Sequence, residues 1–272
     1  MPDSEAQIKK ARAVYDATRH LRLSEIPPLD YTDRISLLTV AGGLRPVGVL
    51  EGEGLQLSPV KDAVINNGLF TSVTKAVWTV REPAPDFPRA DLLAVLHRNR
   101  NREQPRSALW LCSTREDRVQ LKGVQLTKAA AGNVLSYPAC CVRASVNEDL
   151  AIDKAFLEAL VANVGVDPVS IEKAIRDNVQ VELPDEFGAN VPKSTEEFPF
   201  IIHVACDDCL ATRQSPSAKL NEAYKSFIQE VNLELHNAVV ETSRLLTGFA
   251  HLEDKGEVIA RVEALHRSLF RF

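Results

Sequence analysis

Apolar residues recur at helical spacing over residues 4–23, where Ile8, Ala11, Val14, Tyr15, Leu21 and Leu23 give an otherwise polar segment one apolar face. Ile26-Pro27-Pro28 ends that periodicity, because consecutive prolines remove backbone donors and fix φ. The apolar run at 35–40, then Gly42-Gly43, then a second run at 46–50, predicts a hairpin or short meander. A short helix is expected from Ser58-Pro59 to Ile65, stopping near Gly68, and the β-branched content of 70–80 predicts a strand. Pro83, Pro85 and Pro88 mark a surface connection. Residues 90–96 and 108–112 read as further short strands, separated by the charged stretch Arg98-Asn99-Arg100-Asn101-Arg102.

From about residue 120 the pattern turns helical. Residues 126–135 are rich in Ala and Leu, 150–164 repeat apolar residues at three and four, and 167–178 predict another helix. The stretch 184–192 reads as a loop. Residues 198–205, Phe-Pro-Phe-Ile-Ile-His-Val-Ala, form a nearly unbroken apolar run that suits a strand buried on both faces. Ser215-Pro216 looks like an N-cap with proline at the first helical position, opening one long helix to about Leu246, which Gly248 stops. A last amphipathic helix is expected over 257–270. The fold class that follows is α+β. A mixed N-terminal region (1–115) carries short strands, and a mainly helical C-terminal region (116–272) carries one buried strand, the two being separate units or one integrated domain. No internal repeat or low-complexity tract interrupts the chain.

Composition narrows the function classes. With 272 residues, 45% hydrophobic and 25% charged, wholesale disorder, collagen and coiled coil fall away. A formal charge of −5 gives no global attraction to a phosphate backbone and argues against nucleic acid as the main partner. No apolar run approaches the ~20 residues of a membrane span, and the charged N-terminus has no apolar h-region, so neither a membrane partner nor a secretory signal is expected. A cytoplasmic location follows as an expectation, and there structural disulfides are disfavoured.

Four of the five cysteines fall in two tight pairs, Cys140-Cys141 and Cys206-Asp-Asp-Cys209. They are separated by 206 − 141 = 65 residues, so only the tertiary fold can bring them together. A C-x-x-C turn sets two sulfurs toward one metal or cluster, and His203 adds a candidate imidazole ligand. Zinc and iron–sulfur clusters both take four thiolates. Adjacent cysteines are awkward chelators of a single ion, because successive side chains on a helix diverge by about 100°. A cluster, whose irons are separate, tolerates that divergence better. Ser136 and Pro138 look like a helix start, which would set Cys140 and Cys141 in the first turn, where free N–H groups and the dipole favour thiolate, and Arg143 adds positive charge. The leading expectation is an iron–sulfur cluster supporting redox or sulfur-related chemistry, on Cys140, Cys141, His203, Cys206 and Cys209. Three alternatives stay open. The metal is structural zinc in a binding module; the thiols form a metal-free dithiol redox or sulfur-transfer site; or one of Cys140 and Cys141 is a free reactive thiol.

The pattern Tyr137-Pro-x-Cys-Cys-Val142, with His203-x-x-Cys-x-x-Cys209 following and then a long helix, resembles a family of uncharacterised prokaryotic proteins defined by a domain of unknown function. The family pattern reads Gly-Tyr-Pro-x-Cys-Cys and His-x-Pro-Cys-Ser-x-x-Cys; here Ser136 stands at the glycine, Ala205 at the proline and Asp207 at the serine. The resemblance covers about residues 130–245. It implies that Cys140, Cys141, His203, Cys206 and Cys209 form the functional centre, and it supplies no reaction.

Other residues carry less. Cys112, alone in an apolar run, reads as a small buried hydrophobe. His236, His251 and His266 lack a second ligand at i+4 and read as surface or capping residues. Asp207 and Asp208 are turn residues that could support a metal from outside its ligand sphere. The Arg98–Arg102 run reads as a solvated loop. Gly48, Gly52 and Gly54 make no dinucleotide fingerprint, and P-loop, H-E-x-x-H and nucleophile-elbow motifs are missing from the sequence. No small-molecule substrate or redox partner is named by these residues.

Overall fold

Pro27 and Pro28 begin a helix instead of preventing one, because a helix's first turn needs neither the missing N–H nor a free φ. In the computed structural model, which describes residues 4–24, 27–52, 54–75, 89–100, 107–120, 127–177, 179, 181, 197–247 and 255–270, α1 (Ser4–Thr18) is followed by α2 (Pro27–Ala41). The expected strand at 35–40 is therefore the second half of α2. Its β-branched content is overridden by burial on nearly every side, with Ile35, Leu37, Leu38 and Val40 all inside. The expected amphipathic helix at 4–23 is α1, which turns Ala11, Val14 and Tyr15 inward.

β1 (Val47–Gly52), α3 (Gly54–Asn66), β2 (Phe70–Lys75), α4 (Ala90–Arg100) and β3 (Ser107–Cys112) follow. The sheet has order β1-β3-β2 and both pairings are antiparallel, with Cys112 opposite Val47 on one side and Phe70 on the other. Central β3 is buried on both faces: Leu109 and Leu111 enter the main core, while Ala108, Trp110 and Cys112 pack with Ala131 and Leu135. The strands expected at 46–50 and 108–112 are present, and that at 70–80 is β2 as far as Lys75, the rest lying outside the described residues. Residues 90–96 form α4, not a strand. Leu92, Leu93 and Leu96 share one face, packed on Leu157, Leu160 and Ile171, and a run this short does not separate a buried helix from a strand. The expected α3 starts earlier, at Gly54, with Pro59 inside it.

The second half is helical: α5 (Arg115–Gln120), α6 (Lys128–Val134), α7 (Ala139–Val164), α8 (Pro168–Arg176), α9 (Asp207–Leu210), α10 (Pro216–Val231), α11 (Leu233–Leu246) and α12 (Lys255–Phe270). The α+β class, mainly helical, holds. Its expected buried strand at 198–205 does not form. Phe200 and Ile201 are buried there, but the backbone is irregular, and the Phe200 N–H donates to Asn221 Oδ1 (3.0 Å) in place of a ladder partner. The single long helix to Leu246 is two helices, α10 and α11. Asn232, extended at φ −154° and ψ 108°, ends the first and caps the second by accepting from the Leu235 N–H (2.7 Å). The prolines at 83–88, the loop at 184–192 and Gly248 lie outside the described residues. The main core joins Ala11 to Leu111 with Phe200, Tyr224, Ile228, Leu235 and Phe270, so it draws on both halves of the chain.

A buried ion cluster pins the last helix to α2. Asp30, fully buried, accepts from the Leu23 and Ser24 N–H groups, from Arg34 Nε at 2.6 Å and sits 3.1 Å from His266 Nε2. His266 is thus a core residue and not the surface or capping histidine the sequence suggests. Burial alone would raise the Asp30 pKa, but His266, the Arg34 charge and the Leu23 N–H outweigh it and hold the carboxyl below its ordinary range. A depressed folded pKa means the stabilisation is complete above the unfolded value of about 3.9 and is lost as pH falls through the folded one. Asp30→Ala, which strands Arg34 as a buried unpaired cation, is expected to cost about 3–5 kcal/mol in urea unfolding at pH 7. The gap between wild type and Asp30→Asn should narrow below pH 4, and a constant gap would contradict the assignment.

Candidate metal centre

The first cysteine pair is delivered by a tight helix ending. α6 stops at Leu135, and Ser136 adopts φ +57°, the left-handed conformation usually given to glycine. The Ser136 N–H donates to Asn133 O (3.0 Å) and the Tyr137 N–H to Gly132 O (2.9 Å), the paired bonds of a Schellman ending. Pro138 then caps α7, so Cys140 and Cys141 fall in its first turn, as expected. At Gly132 a Cβ would come within 2.6 Å of Val142, which is how closely α6 lies on α7. Buried Arg45, entering β1, donates to Leu135 O (2.8 Å) and holds its guanidinium 5.4 Å from the Tyr137 ring.

The second pair arrives on the irregular segment before α9. Tyr137 donates its hydroxyl to Ile202 O (3.1 Å), and Cys206 is the N-cap residue of α9 with Cys209 inside that turn. All four sulfurs then lie within 4.8 Å of one another, an arrangement compatible with a bound metal. Cys140–Cys141 is 3.9 Å, Cys140–Cys209 3.6 Å, Cys141–Cys206 3.7 Å and Cys141–Cys209 3.6 Å. The divergence expected of adjacent cysteines is overcome because Cα–Cβ bonds tilt toward a helix's N-terminus, and with no preceding turn both sulfurs fold over the open end. His203 stands outside this group. Its Nε2 is 2.9 Å from Ser217 Oγ, which is in turn 3.3 Å from Cys141 Sγ, so one hydroxyl separates the imidazole from the sulfurs.

The surroundings favour negative charge. The N-termini of α7 and α10, helices of 26 and 16 residues, both open on the sulfurs. The Cys206 N–H donates to Cys141 Sγ (3.5 Å). Burial pushes the Cys209 thiol up, but bonds from the Ser217 hydroxyl and N–H and from the Cys140 and Cys141 thiols outweigh it, bringing its pKa down to about 7. Burial dominates at Cys141, pushed up to about 12, and raises Cys140 as well. His203 falls to about 4 through burial and the Arg45 charge, and is neutral at pH 7. Cys141 and Cys209 are buried, while Cys140 and Cys206 are half-exposed.

Ser217 is the functional residue that sequence reading missed. Its only signal was position: it lies two residues beyond the N-cap Ser215, where a helix start can aim a hydroxyl. Cys112 is buried in β3 as expected, its thiol pushed up to about 12 by burial and Asp117. Asp207 and Asp208 are exposed in the first turn of α9. His236 stacks on Phe200 with centroids 5.2 Å apart, and His251 is outside the described residues. Arg98 and Arg100 belong to the end of α4 instead of a loop, and residues 101–102 lie outside the described ones. No helix among the described residues is long and apolar enough to cross a membrane. In comparisons with protein-family models, curated proteins and solved structures, nothing matched the chain.

The strained Ser136 conformation yields a direct check. Ser136→Gly is expected to stabilise the fold by about 0.5–1 kcal/mol, and Ser136→Val to destabilise it by at least ~1 kcal/mol. Urea midpoints of the three proteins measure this, and a destabilising glycine would rule out the left-handed ending.

Proposed function

We propose that the protein is a metalloprotein in which the thiolates of Cys140, Cys141, Cys206 and Cys209 hold one tetrahedral ion, zinc first among candidates. The observation that carries this is the sulfur spacing. Four thiolates at about 2.3 Å from a central zinc lie about 3.8 Å from each other; four of the six sulfur pairs here are 3.6–3.9 Å apart and no pair exceeds 4.8 Å. An iron–sulfur cluster, the leading expectation from sequence, binds its cysteines through different irons and spreads the outermost sulfurs to roughly 6 Å. The sulfurs here, all within 4.8 Å, would have to move apart to take one.

Zinc in this position supplies a cross-link between the start of α7 and the α9–α10 turn, and keeps four thiolates deprotonated. The chain's own residues do the remainder. Ser217 and the Cys206 N–H hold the buried sulfurs by hydrogen bonds, and neutral His203 orients the Ser217 hydroxyl. The same proposal places the protein in a reducing compartment such as the cytoplasm, where thiols persist. It also includes membership of the domain-of-unknown-function family, which the glycine-type conformation of Ser136, at that pattern's glycine, supports.

Protein purified anaerobically is expected to be colourless and to carry one zinc per chain by elemental analysis. Cys206→Ser and Cys209→Ser should each lose most of the metal, and Ser217→Ala should weaken affinity by about tenfold in a chelator competition. Iron with acid-labile sulfide and broad visible absorption would replace this reading with the cluster. Absence of any metal, with reversible disulfide labelling, would replace it with the dithiol relay.

A further inference from the structure

We infer that Cys140 is the nucleophile of this centre and accepts an alkyl group from a small, soft electrophile. The inference rests on the metal–thiolate reading above and deepens it, because the four sulfurs are not equivalent. Cys141 and Cys209 are buried, and each accepts from a backbone N–H, Cys141 from that of Cys206 and Cys209 from that of Ser217, with the Ser217 hydroxyl 3.3 Å from Cys141 Sγ. Such bonds withdraw electron density from sulfur, and nucleophilicity falls with basicity. Cys140 is half-exposed, and among the described residues no N–H or O–H donor reaches its sulfur, whose neighbours are the sulfurs of Cys141, Cys206 and Cys209. Ala139, the residue before it, is exposed and small, so no bulky neighbour in sequence covers it.

Cys206 shares the exposure, and among the described residues no N–H or O–H donor reaches its sulfur either, so charge must separate the two. Exposed Asp207 and Asp208 follow Cys206 directly, whereas exposed Arg143 lies three residues beyond Cys140, on the same face of α7. The reaction expels an anion, which Arg143 favours and the two carboxylates oppose. In the step, a sulfur lone pair of Cys140 forms the S–C bond, the bond from carbon to the leaving group breaks, and the group departs with that electron pair. The centre loses one negative charge, the anion carries it away, and no oxidant or reductant is needed.

The test uses the full chain, loaded with zinc and confirmed at one ion per chain, so failure of loading counts against the centre itself and not against this assignment. Iodoacetamide is added below stoichiometry, the remaining thiols are blocked with an isotopically heavy label after denaturation, and fragment-ion spectra resolve the adjacent pair. Cys140 should be modified about tenfold ahead of each of the other three. Arg143→Glu, which touches no ligand, should slow Cys140 labelling severalfold at unchanged zinc content. First modification at Cys206, or even labelling of all four, would overturn the assignment, as would indifference to Arg143→Glu.

Discussion

Four sulfurs within 4.8 Å of one another are a constraint that the rest of this region answers. As thiolates at such spacing, each pair would repel by about 4 kcal/mol at an effective dielectric of about 20. A helix N-terminus offsets up to ~2 kcal/mol per charge, and a hydrogen bond to a charged group about 1.5–3 kcal/mol. The two long helix ends, the Cys206 N–H and Ser217 together offset about 10 kcal/mol at most, less than half of what the six repelling pairs of four thiolates cost, and Cys209 alone among the buried thiols is drawn down, to about 7. Holding all four deprotonated would take a cation, and the spacing is compatible with a bound metal.

The first half of the chain is needed for that geometry although it contributes no sulfur. Arg45, buried where the chain enters β1, holds the carbonyl of Leu135, and its guanidinium faces the Tyr137 ring. That ring lies 5.1 Å from His203, which reaches Cys141 through Ser217. One continuous set of contacts thus runs from the sheet to the buried sulfurs. Ala108, Trp110 and Cys112 of β3 support the same loop by packing on Ala131 and Leu135. The Asp30–Arg34–His266 cluster does for the chain's last helix what Arg45 does for the α6–α7 corner, tying a late element to an early one.

The grouping of the four cysteines was legible because chemistry is carried by residue type: paired cysteines in a chain with no disulfide framework point to a shared site whatever the backbone does, whereas His203, read with them as a candidate ligand, stands one hydroxyl away. The caps at Pro138 and Ser215 were legible for the same local reason. What failed was burial-dependent. The run at 198–205 is as apolar as a core strand, but its hydrophobicity serves two different clusters, Phe200 in the main core and Ile201 with Ala205 beside the sulfurs, so no ladder forms. Residues 35–40 and 90–96 were too short for periodicity to distinguish helix from strand. Asn232 is polar and unremarkable in sequence, and only its extended backbone shows that it divides two helices. His266 could not be placed inside without knowing that Asp30, more than 200 residues earlier, would meet it.

The irregular segment leaves the region around the sulfurs short of packing. Fixing each backbone residue costs about 1–2 kcal/mol, so ordering 198–206 without a ladder or helix costs on the order of 10 kcal/mol. Burying Phe200, Ile201 and Ala205 returns about half of that at ~1.5–3 kcal/mol per large apolar side chain. Among the described residues, the cluster around Cys141 and Cys209 has Ile201 and Ala205 as its other buried members, too few to complete the balance by packing. The metal centre proposed above would supply the remainder, since binding free energy at such a site is folding free energy. Cys141 and Cys209 lie beneath that packing while Cys140 and Cys206 are half-exposed, so a metal held by all four would keep two of its sulfurs within reach of solvent.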